Sequence, residues 1–175
     1  MRLLLIALLL PVILFAGESK RMEPPVAIVD SLPWFAVRTI AENPQPFTRA
    51  ILAEKVQKFD RVVLMYFATW CIPCRAGVKA VVDNAAALKE NKTKVVLVNI
   101  GEPDDKKTMA WIKKLGADRI PALKDSFGKM TEGFGFIKNG ETMALPTTLI
   151  LDSSLKPLFV VTEEGDDWPS VLWSK

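Results

Sequence analysis

Residues Arg61 to Cys74 read RVVLMYFATWCIPC. The first part, Arg61–Ala68, is an unbroken apolar run of strand length, rich in β-branched and aromatic residues. Such a run predicts a strand buried on both faces at the centre of a sheet. Directly behind it come Thr69 and Trp70, then the pair Cys71 and Cys74 separated by Ile72 and Pro73, then a stretch with helical character to about Glu90. A strand that gives way to a helix at a Cys-x-x-Cys pair fixes both a fold element and a chemistry.

The chemistry follows from the position of the first sulfur. At the start of a helix the backbone N–H groups have no intrahelical partner, and the helix dipole favours negative charge. Thiolate is favoured over thiol there, which makes Cys71 the candidate nucleophile. Cys74, one helical turn on and more buried, is placed to attack a mixed disulfide on Cys71. Pro73 suits the first helical turn because no backbone donor is needed there. Trp70 shields the pair and offers a flat apolar surface to a partner chain. The intervening Ile72-Pro73 brings no imidazole to stabilise the thiolate of the reduced form, which leans toward a reductant over an oxidant. A structural zinc site needs four ligands, and the chain offers two thiolates and no histidine. A purely structural staple across so short a loop removes little unfolded-state entropy.

Working outward, Lys94–Ile100 (KVVLVNI) predicts a second buried strand. Asp104–Leu115 predicts an amphipathic helix, with Met109, Ile112 and Leu115 on one face and Gly116 as its stop. Thr147–Asp152 (TTLILD) and Pro157–Thr162 form a hairpin around the turn Asp152-Ser153-Ser154, and Asp166–Trp173 reads as a short closing helix. On the N-terminal side, Phe47–Phe59 has helical spacing with Thr48 as its cap. The proline-rich segment 18–46 reads as an extended lead-in with an edge strand over Trp34–Ile40. The segment Ala117–Ala144 gives only short apolar pieces among glycines. The alternation of strands and helices predicts an α/β fold.

The 175 residues are half apolar and one quarter charged, the balance of a globular domain. A net charge of +3 without a basic block excludes a nucleic-acid partner. With no histidine, a Ser-His-Asp triad and a Cys-His pair are excluded. Met1-Arg2, the apolar run Leu3–Phe15 and the small residues Ala16-Gly17 have the layout of a secretory signal over residues 1–17. Leu14 sits where the cleavage site favours a small residue, so an uncleaved N-terminal membrane anchor stands as the alternative. Either version exports residues 47–175, read as one domain behind the lead-in.

Four stretches carry a resemblance to the thioredoxin superfamily, and within it to the TlpA/ResA-like thiol–disulfide oxidoreductases of the bacterial cell envelope. They are Val62–Cys74, Lys94–Gly101, the helix ending Lys113-Lys114-Leu115-Gly116, and Leu145–Asp152 (LPTTLILD). The resemblance implies a three-layer sandwich around a mixed sheet, with an insert between the cysteine pair and a cis-proline at Pro146. It implies that the backbone of Leu145 pairs with an extended substrate beside Cys71. It implies a periplasmic or otherwise extracytoplasmic setting, exported disulfide-containing proteins as clients, apocytochrome c among them, and a membrane thiol donor. No cofactor or metal is expected beyond the cysteine pair itself.

Two departures stand out. Where thioredoxins place a buried acid, this chain has Met65, and where the ResA-like branch places a glutamate, it has Gly77. Cys74 must then give its proton to water, to substrate or to another acid such as Glu102. Other functions compete with the reductant: a disulfide oxidase or isomerase, and a redox-inactive binding module using its tryptophans. Copper delivery is weakened by the missing histidine, and a peroxidase role by the lack of the proline–threonine pattern that resemblance leads one to expect before a peroxidatic cysteine.

Overall fold

The computed structural model describes residues 17–137 and 141–174. The apolar leader, residues 1–16, lies outside the described residues. The elements are β1 (Lys20–Met22), β2 (Ala36–Thr39), β3 (Pro46–Thr48), α1 (Arg49–Val56), β4 (Arg61–Phe67), α2 (Ile72–Asp83), α3 (Ala85–Glu90), β5 (Thr93–Ile100), α4 (Asp105–Lys114), β6 (Ala122–Asp125), α5 (Lys129–Gly133), β7 (Thr147–Asp152), β8 (Pro157–Glu163) and a closing 3-10 turn (Ser170–Leu172). They build one eight-stranded sheet of order β1-β8-β7-β4-β5-β6-β2-β3. Strand β4 runs parallel to β5 and antiparallel to β7, so the sheet is mixed.

The unbroken apolar run of β4 is explained by its two covered faces. Val62, Leu64 and Tyr66 enter one apolar cluster, and Val63, Met65 and Phe67 enter the other. In β5, Val96 and Val98 go one way while Val95 and Leu97 go the other. The first cluster is closed by Leu52 and Val56 of α1 and by Met130 of α5 with Phe134. The second is closed by Val78 and Val81 of α2, Leu88 of α3, and Trp111 and Ile112 of α4. This is the expected three-layer α/β sandwich.

Three local expectations are corrected. Strand β2 is not an edge strand: it lies between β6 and β3. The outer position goes to β3, whose Pro46 has no N–H to donate and so suits an edge. The lead-in is not merely extended, for it supplies β1 and β2 to opposite sides of the sheet and buries Ile28, Leu32 and Phe35 in the first cluster. The helix after the cysteines does not run unbroken to Glu90. It is interrupted at Asn84, whose side-chain amide donates to the Ala80 carbonyl oxygen at 2.9 Å, a local bond that competes with helix continuation.

The segment 117–144 contributes β6 and α5. Both are hidden in the sequence by buried charges. Lys124 reaches Asp105 of α4 with its Nζ 2.9 Å from the carboxylate, and Asp105 also accepts from Arg38 of β2. Asp125 accepts from the backbone of Thr131 at 2.8 Å and from its hydroxyl at 2.7 Å, which fixes the start of α5. The left-handed Gly128 (φ 66°) turns the chain into that helix.

Candidate active site

Strand β4 ends at Phe67, and three residues, Ala68 to Trp70, carry the chain to Cys71, which caps α2. The amide of Cys74 donates to Cys71 Sγ at 3.2 Å. An unsatisfied helix-start donor therefore points at the sulfur expected to hold negative charge. Cys71 and Cys74 are joined in a disulfide of 2.02 Å. Both cysteines are buried, Cys71 at 4% exposure and Cys74 at 0%. Pro73 lies in the first turn of α2.

Trp70 is 68% exposed and Ile72 78% exposed, so both neighbours of Cys71 present apolar surface to solvent. Trp70 also lines a cleft of about 520 Å³ together with Gly101 and with Phe127, Ile137 and Met143 of the insert. Phe127 is itself 87% exposed. Trp70, next to Cys71 in the chain, and Phe127 thus bring exposed apolar surface to the same cleft.

Strand β7 brings the second motif to the same end of the sheet. Its Thr147 pairs with Tyr66, one residue before the end of β4, so Pro146 comes next to the point where the cysteine loop leaves the sheet. The Leu145–Pro146 bond is cis, as the resemblance implied. Pro146 is buried, and Leu145 is half-buried, packing against both apolar clusters.

The position six residues before Cys71, Met65, is fully buried in the cluster that holds both sulfurs. Glu102 is not free to serve Cys74. Its carboxylate accepts from Thr69 N at 2.7 Å, from the Thr69 hydroxyl, and from Asn99 Nδ2 at 2.7 Å. Burial pushes this carboxyl up, but the hydrogen bonds from Thr69 and Asn99, with the Lys107 charge, outweigh it and hold Glu102 below the usual carboxylate range. It is an anchor for the loop before Cys71. The sequence signal for it was slight: an acid just beyond β5, after Gly101 in a left-handed conformation.

Glu164, at the end of β8, drew no attention in the sequence. Its carboxyl lies over Gly77 of α2 so closely that a Cβ on residue 77 would overlap it. Only the three-dimensional pairing of β8 with the helix layer reveals this.

The AhpC/TSA family profile matches residues 33–156. The chain belongs to this family. Among solved structures it is similar to a putative thiol:disulfide interchange protein DsbE from Chlorobium tepidum, with 22% identity, a TM-score of 0.60, and coverage of 82% of this chain and 88% of that one. It is similar to a secreted disulfide oxidoreductase of Mycobacterium tuberculosis homologous to Escherichia coli DsbE, with 19% identity, a TM-score of 0.55, and coverage of 73% and 82%. Peroxidoxin BcpB of Mycobacterium tuberculosis shares the fold as well, at 20% identity and a TM-score of 0.60, with coverage of 78% and 85%. At these identities the likeness establishes the fold, that of thiol–disulfide oxidoreductases, and the Cys71–Cys74 disulfide sits in it where β4 meets α2.

Proposed function

We propose that the chain is an exported thiol–disulfide oxidoreductase that reduces disulfides in cell-envelope proteins through Cys71 and Cys74. One observation carries the reading: Cys71 caps α2 with the Cys74 amide donating to its sulfur, flanked by the exposed Trp70 and Ile72. Cys71 thiolate attacks the client disulfide, forming a Cys71–client bond and releasing one client thiolate. Cys74 then attacks Cys71 Sγ, the second client sulfur leaves, and the Cys71–Cys74 disulfide remains. A membrane thiol donor returns the pair to the dithiol. Clients lie against Trp70 and the backbone of Leu145, and apocytochrome c, whose cysteines must be free before haem attachment, is the client named by resemblance. The leader-like start and the secreted relative support an envelope location.

The test is a trap. Cys74→Ser accumulates mixed disulfides with envelope proteins through Cys71, and adducts that resolve on adding dithiothreitol identify the clients. An absence of adducts would leave a binding module. A potential near thioredoxin's supports the reductant, whereas one near that of a strong oxidant reassigns the protein as an oxidase or isomerase.

The peroxidoxin relative and the family name favour a second reading, peroxide reduction at Cys71. Consumption of hydrogen peroxide by the dithiol form, faster than that of a free thiol, would select it.

A further inference from the structure

Resolution of a mixed disulfide requires Cys74 to lose a proton, and Cys74 is fully buried. The sheet beneath it offers Met65 and Phe67, and its own helix offers Val78 and Val81, none of which accepts a proton. One further helical turn along the same buried face is Gly77. Side chains three residues apart on a helix are neighbours, with Cβ atoms about 5–6 Å apart. At Gly77 there is no side chain, and the space is filled from outside the helix. A Cβ there would overlap both oxygens and the carboxyl carbon of Glu164. Glu164 Oε1 is buried and has no hydrogen-bond partner among the described residues. A buried polar atom left without a partner calls for an explanation.

The surroundings keep the carboxyl in place. Trp168 Nε1 donates to the Gly77 carbonyl oxygen at 3.3 Å, which ties the closing segment to the same turn of α2. The next residue, Gly165, donates to Ser19 Oγ at 2.9 Å, and its Cα lies so near the Gly17–Ser19 backbone that a Cβ would not fit. Charged groups on the adjoining elements are engaged elsewhere or turned to solvent. Lys79 pairs with Asp83 on α2, Arg75 is exposed, Glu163 pairs with Lys20 at 2.8 Å, and Asp167 faces Arg21 at 3.8 Å. Asp166 accepts from the Gly17 amide at 3.0 Å.

We propose that Glu164 is the proton relay for Cys74, supplied from the end of β8 across the bare Cα of Gly77. The inference rests on the oxidoreductase reading above and adds its missing base. In the resolving step the Cys74 S–H proton passes to the Glu164 carboxylate. The Cys74 electron pair forms the bond to Cys71 Sγ, the Cys71–client S–S bond breaks, and the client sulfur leaves with that pair as thiolate. Glu164 then returns its proton to solvent or to the departing thiolate. When a donor dithiol reopens the Cys71–Cys74 bond, the same carboxylic acid delivers a proton to the Cys74 sulfur. Burial raises the Glu164 carboxyl to about 7, which suits a group that must both take and give a proton near neutrality.

The reduced protein is mixed with 5,5′-dithiobis(2-nitrobenzoate), and release of thionitrobenzoate is followed in two phases across pH 5–9. The first phase reports attack by Cys71 and the second its resolution by Cys74. In Glu164→Gln the second phase slows by about tenfold or more, at the low end of general-base effects, and loses its inflection near pH 7, while the first phase is unchanged. The double variant Gly77→Glu with Glu164→Ala puts a carboxyl back in the same space from the helix side and restores the second phase. An unchanged second phase and pH profile in Glu164→Gln overturns the relay but leaves the oxidoreductase reading intact. Absence of the second phase in the wild-type protein defeats that reading instead. In the wild-type chain, the ¹³C carboxyl titration of Glu164 shifts upward on reduction; identical titrations in the two redox forms would also overturn the relay.

Discussion

Glu102 holds Thr69 from two directions, accepting from its amide at 2.7 Å and from its hydroxyl, and so fixes the chain two residues before Cys71. The same carboxylate accepts from Asn99, which also reaches the Phe67 carbonyl oxygen at 3.4 Å. One acid thereby links the ends of β4 and β5 to the cysteine loop. Removing it in Glu102→Ala strands buried donors, a loss of about 1–3 kcal/mol in urea unfolding, and speeds hydrogen exchange at the Thr69 amide. Because the folded carboxyl is held below its unfolded value, its contribution is present above the unfolded value and is lost as pH falls through the folded one. Glu102→Gln removes that part of the acid limb; a wild-type limb in the variant would refute the anchoring role.

Glu164 carries the opposite pH signature. Its folded value is raised, so the native state holds the proton more tightly than the unfolded chain. Stability from this group is full below about pH 4.5, declines as pH rises to about 7, and is level above that. The loss is about 1–3 kcal/mol, discounted for partial exposure of the side chain. Glu164→Gln flattens this segment and is the more stable protein at pH 8. A variant that parallels the wild type from pH 4.5 to 8 would show that burial does not act on this carboxyl.

The exposed side chains at the cleft predict a split between large and small substrates. Trp70→Ala and Phe127→Ala each raise KM for a protein disulfide about tenfold, the loss of one apolar anchor at an interface. Reaction of Cys71 with a small aromatic disulfide stays within twofold of wild type. Equal losses on both substrates would mean that Trp70 and Phe127 act on the cysteine loop and not on the client.

Asp105 sits between Arg38 and the buried Lys124, whose side chain is 1% exposed. Asp105→Asn leaves Lys124 without its counter-charge and costs about 3 kcal/mol in chemical unfolding. Lys124→Met is much milder, because Asp105 keeps Arg38 and the cation is replaced by an apolar chain of similar length. Equal costs for the two variants would contradict this asymmetry.

The central part of this architecture was readable residue by residue. The apolar run of β4, the helix start at Cys71, strand β7 and the helix α4 follow from local pattern. What escaped reading depends on distant partners. Strand β6 carries Lys124 and Asp125, which look like loop residues until Asp105 and Thr131 are seen against them. Glu164 looks like a surface acid after a strand, and only the absent side chain of Gly77 explains its place. The resemblance marked acids as missing at Met65 and Gly77, but gave no sign that the empty space at Gly77 is filled by Glu164.

Both sulfurs belong to the apolar cluster that contains Met65, Val78 and Val81. Folding and electron transfer are therefore two edges of one four-state cycle, in which the disulfide and dithiol forms each have their own unfolding free energy. Any packing change that weakens one form by 1.4 kcal/mol more than the other moves the midpoint potential by about 30 mV. Conservative substitutions beneath α2, such as Val78→Ala, are then potentiometric variants as much as stability variants, and the hydrophobic interior acts as the tuning element of the couple.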